Sequence, residues 1–214
     1  MADLQKLYDA ILNGDNKTAV AITREALDAG MDPMDLVTQQ MVPAMDEVGR
    51  RFEAGDYFVP ELLLSARAMK GTMELIRPLL AASGADPVGH VVIGTVRGDL
   101  HDIGKNLVAA MLEGGGFNVI DLGADVAPEK IIDTIKSRKV DIVALSALLT
   151  VTMPAMKSTI EALKQAGVRE QVKVIIGGAP VTGEYARQIG ADGFSDNAVG
   201  AVSMVRDLIE RKIA

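Results

Sequence analysis

The sequence predicts an α/β protein in two parts, an N-terminal four-helix bundle followed by a doubly wound parallel sheet of five strands. Three observations predict it. Residues 3 to 81 carry apolar side chains at spacings of three and four throughout, the period of helices with one buried face. From residue 89 onward, short branched-aliphatic runs alternate with amphipathic stretches, the pattern of repeated strand–helix units. Between them stands Ala81-Ala82-Ser83-Gly84-Ala85-Asp86-Pro87, a small, polar, proline-containing stretch of linker type. The boundaries are thus 1–83 for the helical part, 84–88 for the linker and 89–214 for the α/β part.

Leu4, Leu7, Tyr8, Ile11 and Leu12 form the first helical stripe, which stops at Asn13-Gly14. Ala19, Ile22, Ala26 and Leu27 form the second. It ends at Ala29-Gly30, where glycine suits the left-handed residue that follows a helix. The third has Asp32 as its cap and Pro33 in its first turn, then runs through Leu36, Val37, Met41, Met45 and Val48. Pro43 inside it predicts a kink. The fourth starts near Pro60 and runs through Leu63, Leu64, Ala68, Met69, Met73 and Ile76 toward Leu80. Four helices with short joints make a small bundle, and its Met residues read as core filler.

The strands fall at 89–94, 117–120, 140–145, 172–176 and 192–195. Their continuous apolar character means a parallel sheet covered on both faces. In the flavodoxin-like, Rossmann-type order 2-1-3-4-5, strands one and three lie side by side and their exits diverge, which opens a crevice at their carboxyl ends. Gly98-Asp99-Leu100-His101-Asp102-Ile103-Gly104 leaves strand one, Ser146-Ala147-Leu148-Leu149-Thr150 leaves strand three, and Gly177-Gly178 leaves strand four. Topology alone brings these segments together as a ligand site. His90 begins a strand and reads as a surface residue. Gly114-Gly115-Gly116 reads as a helix stop, because Phe117 starts a strand where a phosphate cradle needs a helix. Gly94-Thr95-Val96-Arg97-Gly98 does not match a dinucleotide fingerprint.

Composition narrows the chemistry. The 214 residues suffice for a substantial core, but aromatics are 3% and Trp is absent. The core is therefore aliphatic and Met-rich, and stacking platforms for nucleic acid are lacking. The net charge of -7, with no basic block, likewise argues against nucleic acid and anionic membrane as partners. Without cysteine there are neither disulfides nor thiolate metal sites, and two His are too few for a His-built zinc site. Any metal is therefore expected to arrive inside a cofactor. The amino terminus lacks a basic-then-apolar signal pattern, and the longest nearly apolar run, Ile142 to Val151, is about half a membrane span. The expectation is a cytoplasmic protein.

Asp99-x-His101-x-x-Gly104 resembles the cobalamin-binding motif of methionine synthase and of the corrinoid proteins of methanol, methylamine and methyl-ether methyltransferases. Ser146-Ala147-Leu148-Leu149-Thr150 resembles the segment of that family that lines the nucleotide-tail groove, and Gly177-Gly178 resembles its paired glycines. Thr152 falls where the family places a hydroxyl partner for the Asp–His pair, with Thr in place of the Ser of methionine synthase. Phe52, Tyr57 and Phe58 crowd the joint between helices three and four. This joint resembles the family's helical cap over the upper corrin face, with Phe52, Val59 and Leu62 at the positions that touch the methyl side.

The resemblance implies cobalamin, as methylcobalamin or a related corrinoid, bound base-off and His-on. His101 is then the cobalt ligand, and Asp99 and Thr152 form a hydrogen-bonded proton relay with it. The loop residues Gly98, Leu100, Asp102, Ile103 and Gly104 contact the cofactor. Ser146, Leu148, Thr150, Gly177, Gly178 and the Asp196 region border the groove for the displaced base. Residues 1–83 become the cap and 89–214 the cobalamin-binding domain. The implied role is a methyl carrier in a methyltransferase or O-demethylase system, a subunit without a substrate barrel of its own. Its partners are a donor-specific methyltransferase, an acceptor methyltransferase using a folate or thiol, and a reductive activase. Two rival readings share the lower domain. A light sensor needs a DNA-binding module and usually a Trp over the cofactor, neither of which this sequence holds; a mutase subunit lacks this bundle. A flavodoxin-like module with a different ligand is the third alternative.

Overall fold

The computed structural model describes residues 4–83 and 88–213, so residues 84–87 of the expected linker lie outside the described residues. The chain divides into two compact units, Met1–Pro87 with Ala110–Phe117, and Val88–Ala109 with Asn118–Ala214.

The helical unit contains α1 (Leu4–Leu12), α2 (Asn16–Asp28), α3 (Pro33–Leu36), α4 (Val42–Glu53) and α5 (Val59–Ser83). The Asp15 carboxylate caps α2 by accepting the Thr18 N–H at 3.0 Å. Asp32 caps α3 by accepting from Met34 at 2.7 Å and Asp35 at 3.3 Å, with Pro33 in the first turn. The third helix of the sequence reading is interrupted by a π-helical turn at Val37–Met41. Pro43 supplies the reason: it has no N–H for the carbonyl four residues back, and its ring presses against that carbonyl. The backbone widens one turn earlier, where the Val42 N–H bonds the Val37 carbonyl.

Along α5, Leu62, Ala66, Met69, Met73, Ile76 and Leu80 form a buried seam at alternating spacings of four and three. The α4–α5 joint is fastened to α1. Arg51 donates to Glu47 at 2.9 Å and lies 5.2 Å from the centre of the Tyr57 ring, while the Tyr57 hydroxyl donates to the Leu12 carbonyl at 3.3 Å. Hydrogen bonds from Arg50 and Arg51 hold the Glu47 carboxyl down to about 2.

The α/β unit runs β1 (His90–Thr95), α6 (Ile103–Gly114), β2 (Asn118–Asp121), α7 (Pro128–Ser137), β3 (Ile142–Ser146), α8 (Pro154–Gln165), β4 (Lys173–Gly177), α9 (Gly183–Ile189), β5 (Gly193–Phe194) and α10 (Ala198–Ile213). The last turns of α6 count with the helical unit. There Glu113 pairs with Lys70 at 3.0 Å, and α6 stops at the glycine run as expected, with Gly116 at φ 87°.

All strand pairs are parallel, in the order β2-β1-β3-β4-β5. Every strand placed from the sequence is present within about two residues. Val92, Val143, Leu145, Val174 and Ile176 pack with Ile131, Ile135, Met156, Ile160, Leu163 and Ile189 from α7, α8 and α9. Val91, Ile93, Ile142, Ala144 and Ile175 alternate with them and are buried too. The right-handed crossover between β1 and β2 assigns this second face to α6, and Met204 of α10 lies close to Gly193 beside Ile175 on the same face. Thr95, Ser146 and Gly177 then stand in one register row at the carboxyl ends of the three central strands. His90, expected at the surface, is half-buried instead. Its Nδ1 meets the Asn118 amide at 3.1 Å across the β1–β2 pair, and its Nε2 is enclosed. Among the described residues no helix is long and apolar enough to cross a membrane.

Candidate functional site

The chain turns sharply after β1. Val96 bonds the Ser146 carbonyl at 3.0 Å, and Gly98 then takes φ 84°, a left-handed conformation that glycine adopts without steric cost. This turn points Asp99 inward, where its side chain is 0% exposed. Oδ1 accepts the His101 backbone N–H at 3.0 Å and lies 2.7 Å from His101 Nδ1. Oδ2 accepts the Thr152 hydroxyl at 2.7 Å and the backbone N–H groups of Leu148 and Leu149 at 2.8 and 3.3 Å. Burial pushes this carboxyl up, but the bonds from Thr152, His101 and Leu148 outweigh burial and hold it below the usual carboxylate range.

An ionised carboxylate only accepts, so Nδ1 of His101 carries the hydrogen, which in the neutral imidazole leaves the lone pair on Nε2. The imidazole is 49% exposed, and no described residue partners Nε2. Thr152 is buried, and its hydroxyl also lies 2.8 Å from the Leu149 carbonyl. Its single hydrogen serves one of these two acceptors, and the charged Asp99 is the stronger.

The two loops that meet at Asp99 expose a collar of large apolar side chains: Leu100 and Ile103, at 86%, on the His101 loop, and Leu148, Leu149 and Val151, at 80%, on the loop after β3. Ile103 opens α6, with Asp102 before it, exposed, accepting the Asn106 N–H on its carbonyl at 2.7 Å. Gly104 follows in the first turn, and a Cβ built there meets nothing within 4 Å. Nothing in the chain itself therefore requires glycine at this position.

At the carboxyl ends of β3 and β4, Ser146 stands opposite Gly177, and Thr150 is exposed on the loop beyond. A Cβ on Gly177 would approach the Ser195 carbonyl to 3.2 Å, and one on Gly178, which has φ 131°, would overlap the Ala147 carbonyl. Asp196 is exposed after β5 and accepts from the Asn197 amide at 3.0 Å.

The three residues expected at the cap divide. Phe52 is half-buried at the end of α4, and Val59 is exposed at the start of α5. Leu62 corrects the expectation: it is 0% exposed, because it opens the buried seam of α5, and Phe58, Val59 and Leu63 present the outward apolar surface there.

Sequence reasoning missed the Leu148 and Leu149 N–H donors, Val151, the Lys105–Asp121 pair and Asp125. The apolar run that outlasts β3 by five residues, to Val151, was the available signal for an exposed collar. Lys105, the one cation of α6, was the signal for a buried partner; its Nζ pairs with Asp121 and donates to Asn106 Oδ1 at 2.6 Å.

Fold and site together define a chain that offers one oriented, half-exposed imidazole at the switch point of a parallel sheet, on loops that expose an apolar collar. Residues 89–203 and, separately, residues 3–77 match families described as B12 binding domain. The chain belongs to the B12-binding family of corrinoid proteins. It is 44% identical over 208 residues to trimethylamine corrinoid protein 1 of Methanosarcina acetivorans, covering 96% of each chain. A cobalamin-binding protein of Desulfitobacterium hafniense superposes with a TM-score of 0.78 at 34% identity, over 97% of this chain and 99% of that one. The methanol:cobalamin methyltransferase complex of Methanosarcina barkeri gives a TM-score of 0.85 at 31% identity, over 97% and 79%.

The residues present fit a cobalamin. The lone pair of His101 Nε2 is a nitrogen donor for one metal position, the collar suits an apolar macrocycle edge, and Gly104 leaves space above the loop that nothing in the chain fills. Among the described residues no three His, Cys, Asp or Glu side chains gather to hold a free metal ion.

Proposed function

We propose that the chain is the methyl carrier of a multi-component methyltransferase system and holds a cobalamin base-off, with His101 as its protein ligand. The observation that carries the reading is the His101 imidazole itself: half-exposed, fixed through Nδ1 by a buried carboxylate, and set on loops that expose large apolar side chains. Cobalt in the bound corrinoid supplies the chemistry of accepting a methyl group and releasing it. Asp99 fixes the tautomer and direction of the imidazole, as acceptors behind metal-bound histidines do. Thr152, Leu148 and Leu149 hold Asp99 ionised and in place. In this reading Leu100, Ile103, Leu148 and Val151 exclude water around the ligand, and Ser146, Thr150, Gly177, Gly178 and Asp196 border the groove for the displaced base.

Residues 1–83 serve as the cover for the ligand's other face, with Phe58, Val59 and Phe52 as its apolar contributors, and 89–214 as the binding domain. A donor-specific methyltransferase and a second one with a folate or thiol acceptor are the partners, joined by a reductive activase. The names of the relatives put methylamines and methanol first among the donors to assay.

Titration of the cofactor-free protein with hydroxocobalamin tests the reading. Binding should weaken in His101→Ala by at least the roughly ten- to hundredfold typical when only a partner behind a metal ligand is lost, and the nitrogen splitting in the electron paramagnetic resonance of the Co(II) form should disappear. Splitting that survives the substitution removes His101 from the metal.

A further inference from the structure

We propose that Asp125, in the loop between β2 and α7, is the positioning residue of the His101 loop, a role that rests on reading His101 as the cofactor's protein ligand. Asp125 is the single described residue other than glycine with a left-handed backbone, at φ 52°. Side chain and backbone are both spent on one target. Oδ1 accepts the Gly98 N–H at 2.7 Å, and the Asp125 N–H donates to the Asp99 carbonyl at 2.9 Å. One residue thus grips the Gly98–Asp99 turn by its first donor and its last acceptor.

The loop that carries Asp125 is itself fixed at both ends. Thr95 donates to the Gly123 carbonyl at 3.0 Å and Val126 to the Thr95 carbonyl at 2.9 Å, so the parallel pairing of β1 continues one bridge beyond β2, at Val96 and Val126. At the base of the loop, Asp121 Oδ1 accepts the Gly123 N–H at 2.8 Å, while Oδ2 pairs with the buried Nζ of Lys105 in the first turn of α6. The His101 loop is therefore held from this loop on both sides, at Gly98–Asp99 by Asp125 and at Lys105 by Asp121.

The direction of the imidazole follows from that of the Asp99 carboxylate, and the latter follows from the Asp99 backbone. Rotating the Gly98–Asp99 turn would carry the carboxylate away from Thr152 and Leu148. A left-handed backbone disfavours residues with a Cβ, and Asp and Asn tolerate it best among them. Glycine would adopt the same φ freely. What Asp adds over glycine at position 125 is the acceptor for Gly98.

The test compares Asp125→Gly, which keeps the backbone and removes the acceptor, with Asp125→Asn, which keeps both, in the full-length chain. In the cofactor-free protein, amide hydrogen exchange at Gly98 and His101 should be at least tenfold faster in Asp125→Gly and within about twofold of the parent in Asp125→Asn. Hydroxocobalamin affinity should fall roughly ten- to hundredfold in the glycine variant, the range typical of lost partners behind a metal ligand, and stay within about threefold in the asparagine variant. A glycine variant that matches the parent in both exchange and affinity overturns the role. So does an asparagine variant as impaired as the glycine one. Should His101→Ala bind cobalamin as tightly as the parent, the reading of His101 as ligand fails, while the exchange measurement still decides whether Asp125 fixes the loop.

Discussion

Asp99 is wholly buried, yet five donors converge on its two oxygens, from the backbone and ring of His101, the Thr152 hydroxyl and the N–H groups of Leu148 and Leu149. Asp99→Asn places an amide group where one set of those donors points. We expect it to lower unfolding stability by about 2 kcal/mol at pH 7, the scale of a buried donor left without an acceptor. The folded carboxyl sits below its ordinary value, so its contribution is complete above the unfolded pKa, about 3.9, and is lost as pH falls through that value toward the lower folded one. Urea unfolding should therefore show the gap between parent and variant narrowing from pH 7 to pH 3. A constant gap would count against an ionised Asp99. Gly104 makes the opposite case, since no atom of the chain needs glycine there. Gly104→Ala should raise the stability of the cofactor-free protein by about 0.5 kcal/mol, because alanine is the better helix former. The same change should weaken hydroxocobalamin binding at least tenfold by filling space beside the ligand. Gained stability with unchanged affinity would remove Gly104 from the binding surface.

Within elements, α5 shows how one residue's shift of position changes a role. Leu62 lies on the buried seam and Leu63 faces outward, although both are leucines beside the aromatic joint. Leu62→Ala should cost about 3 kcal/mol through lost burial and the cavity left behind, whereas Leu63→Ala should stay within about 0.5 kcal/mol. Equal costs in chemical denaturation would mean that the seam is misassigned. The periodicity of the sequence marked 63, 64, 68, 69, 73 and 76 as one stripe, and a stripe that wide does not say which edge meets the neighbouring helices. The π-helical turn before Pro43 has the same character. Proline announced a break, but where the backbone absorbs it depends on which turn can widen without exposing the buried Val37 and Met41.

For the whole molecule, the decisive geometry is the adjacency of β1 and β3 at the centre of the sheet, which brings the His101 loop and the Leu148 loop within hydrogen-bonding reach of one carboxylate. The sequence by itself determined this much. Continuous aliphatic runs require a sheet buried on both faces, helix-length connections make its strands parallel, and the common strand order then brings the exits of strands one, three and four to one crevice. The spacing of Asp99, His101 and Gly104 carried the resemblance to corrinoid proteins, and the similarity to such proteins runs over nearly the whole chain. What the tertiary structure alone decided are contacts between residues far apart in the chain. Leu148 N–H reaches Asp99 across 49 positions, Asp125 reaches Gly98 across 27, and Lys105 reaches Asp121 across 16. None of these has a local signature, because backbone donors look alike in every sequence and a lone Asp in a loop reads as a solvated turn residue. The exposed collar was hidden for a related reason: Leu149 and Val151 continue an apolar run, and hydropathy is blind to where the strand beneath it ends. Periodicity reports which side of an element is apolar, and only the packed chain shows which of those side chains are left facing outward on the loops that meet at Asp99.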